Sequence, residues 1–171
     1  VERRKMMVRF ICNIWDNREV ENSTILVMAK RVEYIEELYK MTFEKNKNVY
    51  FIHGQISMKE RTKVIDHVKK HGGIIICNVG IMGTGINIPN VTTVVFANPL
   101  KSDILLLQSI GRSIRLFDGK ETAVIYDIID KIPVKNKSEN MTFHWLEDKT
   151  ALYDSKHFTY DSINVDLIHD N

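Results

Sequence analysis

The chain has 171 residues, 44% hydrophobic and 27% charged, the make-up of one ordinary globular domain with a sizeable core. Lys and Arg exceed Asp and Glu by only 24 to 22, so the total charge announces neither a nucleic acid nor a membrane surface, although a local basic stripe fits inside a near-neutral sum. The longest apolar runs, such as GGIIIC and TTVVFA, are far too short to span a bilayer, and the charged start VERRK leads into no signal-peptide core, so no membrane is expected. Cys12 and Cys77 lie far apart, Cys77 within an apolar run, which fits buried thiols in a reducing cytoplasm rather than a disulfide framework. The chain opens on Val1 rather than methionine, and an excised piece of a longer protein is expected.

In chain order, Met7, Phe10, Ile11, Ile14 and Trp15 recur at helical spacing and predict an amphipathic helix over residues 1 to about 18. TILVMA (24–29) predicts a short buried strand, Val32, Ile35 and Leu38 a second helix, and VYFI (49–52) a second strand. SMKE (57–60) has the pattern of a capping box ahead of a helix carrying Val64, Ile65 and Val68, with HGG marking its end. A third strand, IIIC (74–77), is followed by a glycine-rich loop (78–90) and a fourth strand, TTVVFA (92–97). A helix through LLLQSIGRSIR (105–115) and a fifth strand, TAVIYDII (122–129), come next. PVKNKSEN reads as a loop, residues 143–153 as a helix, and FTYDSINV as a last strand. Continuous apolar strands separated by helices imply an α/β fold, a mainly parallel sheet covered on both faces, in one domain over 1–171. Ligands of such sheets gather at the carboxyl ends of the strands.

Gly80, Gly83 and Gly85 suit either plain turns or a loop whose backbone closes on a phosphate or ribose. No Gly-Lys-Ser/Thr loop and no dinucleotide fingerprint occurs, and no acidic pair after a strand offers a magnesium site. Arg112 and Arg115, three apart after Gly111, either solubilise a helix end or reach one anion together. His144, His157 and His169 show no metal-ligand spacing with the cysteines, and no metal ligands are assigned. Asp127 and Asp130 read as a solvated pair at a strand end.

Taken together, the glycine loop, the proline, the strand and QSIGRSIR resemble the second RecA-like lobe of superfamily 2 helicases. ILVMAKRVEYIEEL resembles the fourth motif, VYFIHGQISMKER the segment after it, GTGINIPNVTTVVF the fifth motif and QSIGRSIR the sixth, with fitting spacing through residues 24–130 and an extension over 138–166. The look is nearest to bacteriophage UvsW-type DNA helicases, with RecG-type enzymes further off.

The resemblance implies a RecA-like fold and ATP with Mg2+ held mainly by an amino-terminal lobe of the same parent chain. Arg112 and Arg115 would act on the terminal phosphates, Arg115 as the arginine finger. Gln108 would stand at the lobe interface, and Gly85 and Asn87 at the ribose. Many relatives carry aspartate at the position of Asn87, and an amide still hydrogen-bonds a ribose hydroxyl. Lys30, Arg31, His53, Gly54, Asn78, Gly80 and Thr84 would grip the backbone of single-stranded or branched DNA. Each has a plainer reading: Lys30 and Arg31 as the start of a solvated helix, His53 as a structural histidine, Asn78 as a loop cap. The resemblance implies a monomer in the cytoplasm, the host's if phage-encoded, that is inactive without its other lobe. A non-enzymatic nucleic-acid or protein-binding module and an RNA-tracking lobe remain as alternatives.

Overall fold

The computed structural model describes residues 2–84, 87–100, 107, 111, 122–131 and 141–166. Their elements are α1 (Glu2–Asp16), β1 (Thr24–Ala29), α2 (Val32–Lys45), β2 (Val49–Ile52), α3 (Met58–His71), β3 (Gly73–Asn78), a 3-10 segment (Val79–Thr84), β4 (Val91–Phe96), β5 (Val124–Asp127) and α4 (Met141–Ser155). All strand pairings are parallel, in the order β2-β3-β1-β4-β5.

Alternation along the strands sorts their side chains onto two faces. Ile25, Val27 and Ala29 of β1 join Ile74, Ile76 and Val95 under α1 and α2, against Met7, Ile11, Ile35 and Leu38. Leu26 and Met28 join Ile75, Cys77, Val94 and Phe96 on the opposite face, against Val68 of α3 and, partly buried, Leu152 and Tyr153 of α4. Both faces are therefore dry, which is why TILVMA and IIIC are buried along their whole length and apolar but for Thr24, rather than alternating. Each fully buried Ile or Val side chain contributes about 1.5–3 kcal/mol, so this doubly covered centre fixes the strand ends that carry the candidate site.

The ends of α3 are set locally. Ser57 Oγ accepts the Glu60 N–H at 3.2 Å, and Glu60 Oε2 accepts the Ser57 N–H at 3.3 Å and its hydroxyl at 2.7 Å, completing the capping box that SMKE predicts. These hydrogen bonds hold the Glu60 carboxyl below its ordinary range. At the other end Gly72 donates to Val68 O at 2.9 Å with φ +71°, and a Cβ there would stand 2.4 Å from Ser23 O. Gly72→Ala is expected to cost about 2–3 kcal/mol, because left-handed strain and a clash with main chain act together. A denaturation midpoint unchanged from that of the parent chain would refute this.

Nearby, Asn90 is fully buried. Its Nδ2 donates to Asn22 O and Val68 O, both at 2.6 Å, and its carbonyl accepts the Thr24 N–H at 2.7 Å. It pins the loop that crosses from β3 to β4 onto the amino end of β1. In sequence it is one more polar residue after a proline.

Three expectations are corrected. FTYDSINV forms no strand: residues 158–166 are described and unpaired, with Ile163 and Val165 largely exposed. Asp127 and Asp130 are not a solvated pair. Lys149 Nζ grips both Asp127 oxygens at 2.7 and 2.6 Å, and Tyr153 donates its hydroxyl at 2.8 Å. Asp130 accepts Arg3 Nε at 2.7 Å, while the same guanidinium reaches Tyr34 Oη and Ala97 O. Cys12 and Cys77 are both free, but only Cys77 is buried; Cys12 is half-buried.

Candidate nucleic-acid interface

The candidate track residues converge because of register. Ile52 pairs with Cys77, which pairs with Met28, and Ala29 pairs with Asn78, so β2, β3 and β1 end almost flush and side by side. At about 4.8 Å per strand the three ends cover about 10 Å. From this ledge emerge Lys30 and Arg31 after β1, His53 and Gly54 after β2, and Asn78 and Gly80 at the end of β3.

Their environments differ. Lys30 and Arg31 are exposed, and Arg31 occupies the position before α2 in extended conformation without capping it through its side chain. Both cations are thus presented to solvent at a strand end. His53 is half-buried and stacked on Phe51, ring centroids 4.9 Å apart, which supports the structural-histidine reading. Gly54 is exposed and has nothing within 4 Å of a notional Cβ, so its turn leaves open space.

Asn78 is used locally. Its Oδ1 accepts the Gly80 N–H at 2.8 Å and its Nδ2 donates to Lys30 O at 2.6 Å, so one amide ties the glycine loop to the end of β1. This is the loop-capping role, extended across two strands. Gly80 is exposed, and a Cβ on it would approach Asn78 Oδ1 to 3.1 Å. Thr84 closes the 3-10 segment. Asn87 is exposed in the connection to β4 and has an interaction of its own.

Gly85, Gln108, Arg112 and Arg115 lie outside the described residues; of the neighbouring stretch, Leu107 and Gly111 are helical. The structure thus brings together the candidate residues at the ends of the first three strands and leaves the arginine assignment to the sequence. Among the described residues no group of three or more His, Cys, Asp or Glu is placed to hold a metal ion. No helix among them is long and apolar enough to cross a membrane.

Sequence reading missed two charged anchors near the ledge. The Lys149 ammonium and Asp127 carboxylate are 4% and 11% exposed, and burial together with the Asp127 charge pushes the Tyr153 phenol well above its ordinary range. Arg3 joins α1 to α2 and to the segments after β4 and β5. Burial also raises the Tyr34 phenol, against the opposing pull of Arg3. The Cys77 thiol, raised to about 12 by burial, is chemically inert.

Residues 4–117 match the family model described as "Helicase conserved C-terminal domain". The ATP-dependent DNA helicase UvsW of enterobacteria phage T4 is 32% identical over 121 residues, 70% of this chain but only 24% of that protein. The crystal structure of T4 UvsW superposes with a TM-score of 0.79 at 22% identity, covering 98% of this chain and 35% of that one. Domain 2 of the DEAD-box helicase Mss116p, solved bound to an RNA duplex, superposes with a TM-score of 0.59 at 25% identity, covering 74% of this chain and 49% of that one. The chain therefore spans about a quarter to a half of these proteins. With a family match over most of its length and a five-stranded parallel sheet shared with RecA-like helicase domains, the chain belongs to the helicase C-terminal domain family, as the second lobe of a superfamily 2 helicase.

Proposed function

We propose that the chain is the carboxyl-terminal motor lobe of an ATP-dependent DNA helicase or branch-migrating translocase. It closes with an amino-terminal lobe over ATP and steps along one strand. The observation that carries this reading is the ledge at the ends of β2, β3 and β1, where Lys30, Arg31, His53, Gly54 and Gly80 stand together. A ledge carrying the exposed cations Lys30 and Arg31 suits the repeating phosphates of a strand and carries little base information. Asn78 contributes by holding Gly80 and Lys30 in place, since its own amide is already engaged. Thr84 is proposed as a further contact from the glycine loop, on the strength of the fifth-motif resemblance. The sixth-motif pattern supports Arg112 and Arg115 on the ATP phosphates with Gln108 at the lobe interface, and the fifth supports Gly85 and Asn87 on the ribose. Mg2+ belongs with the other lobe.

The test is ATP hydrolysis by the two-lobe protein with single-stranded, forked and four-way DNA and with RNA. DNA is expected to stimulate turnover, branched DNA most, while the 171-residue chain alone is inactive. The resemblance to Mss116p domain 2 makes the RNA arm informative. Stimulation by RNA and not DNA would reassign the track, and no stimulation by either would leave a non-enzymatic module.

A further inference from the structure

The last two turns of α3 carry a feature that the motor reading does not use. His67 and His71 are four residues apart on one helix, both exposed, with ring centroids 4.7 Å apart. Side chains at this spacing stand over one another with Cβ atoms about 5–6 Å apart, a separation that lets two imidazoles turn their nitrogens onto a common ion about 2 Å from each. Neither ring makes a hydrogen bond or an ion pair among the described residues.

We infer that His67 and His71 form a two-imidazole site for a divalent late transition-metal ion, binding Cu2+ most tightly and Zn2+ and Ni2+ below it.

Three local features favour this site. Tyr50 of β2 stands 5.4 Å from the His67 ring, and a Cβ on Gly73 would meet the same tyrosine at 2.8 Å, so a packed aromatic backs one ligand. The pair lies in the final turns of α3, where unpaired carbonyls concentrate partial negative charge and favour a cation. Of the flanking charges, Lys69 lies 4.0 Å from Asp66, which offsets part of the repulsion from Lys69 and Lys70. Among the described residues no third side-chain ligand joins the group, so water completes the coordination, and imidazole with water ranks the metals in the Irving–Williams order.

The position also assigns a role. α3 leaves the ledge at Ser57 and ends beside the start of β3, so the histidines sit at the far end of the sheet from the track. An ion there bridges one helical turn next to Gly72 and braces the end of α3 without touching nucleic acid.

The experiment is calorimetric titration of the chain with CuCl2, ZnCl2, NiCl2 and MgCl2, in a non-chelating buffer at about pH 8, where a free imidazole is neutral. The expected result is one ion per chain, Cu2+ tightest and Mg2+ without effect. His67→Ala and His71→Ala should each weaken Zn2+ binding about tenfold or more, while His157→Ala leaves it unchanged. Both histidines are exposed, so the variants should keep the parent circular dichroism spectrum. Copper electron paramagnetic resonance should show coupling to two nitrogens that falls to one in either variant. Absence of binding by the parent chain, or undiminished Zn2+ affinity in either variant, would overturn the assignment. The motor reading is untouched by either outcome.

Discussion

Arg115→Ala in the two-lobe protein should lower ATP turnover by roughly a thousandfold to a hundred-thousandfold, equivalent to about 4–7 kcal/mol of lost transition-state stabilisation. The cause is charge. In the proposed role, negative charge spreads over the oxygens of the terminal phosphoryl group as it moves, and the Arg115 guanidinium would meet it from this lobe with a planar fork of donors that stay protonated. Arg115→Lys should recover little, because an ammonium offers a point charge without the fork. Binding of DNA by the protein should be nearly unchanged, since the proposed track lies on the flush strand ends and Arg115 is proposed to face the nucleotide instead. Steady-state hydrolysis measured beside DNA affinity separates the two effects. Turnover within about tenfold of the parent would remove Arg115 from the role, and Arg112→Ala then becomes the decisive variant.

Lys149→Ala should destabilise the fold by about 3–5 kcal/mol, because it strands a carboxylate that is 11% exposed. In a domain of this size that corresponds to a fall in melting temperature of roughly 6–20 °C. Tyr153 would still donate to Asp127, but one neutral hydroxyl does not replace an ammonium bonded to both oxygens. Removing both charges, as Lys149→Met with Asp127→Leu, should recover much of the loss, since a buried pair exchanged for packed apolar groups is often neutral. Thermal melts of the two single variants and the double variant complete the cycle. Equal stability of Lys149→Ala and the parent would show that water reaches Asp127 and solvates it. Added salt should change the parent's melting temperature little through this pair, because burial shields it from screening.

Much of the fold was legible because its signals are local. TILVMA and VYFI coincide residue for residue with β1 and β2, since continuous β-branched and aromatic runs between helical periods fit a sheet buried on both faces. Ser57 and Glu60 announced the start of α3 because a capping box needs only four consecutive residues. What the sequence misled on depends on distant partners. Asp127 looked solvated because its lysine lies 22 residues on, and Asp130 because its arginine lies 127 residues back. FTYDSINV has the alternation of a strand, but alternation states what a segment is able to pair and not whether a neighbour is there. The positions proposed for the track could be singled out as motifs, whereas the side-chain route from Asn78 to Lys30 and Gly80 required the strands to be laid next to each other.

Arg3 decides how a mechanical load enters this lobe. A load on the amino end of α1 meets, within the first turn, a guanidinium moored to Asp130, to Tyr34 and to the carbonyl of Ala97. Such a load is therefore shared among three contacts from the start, one of them on α2 and two on the segments after β4 and β5.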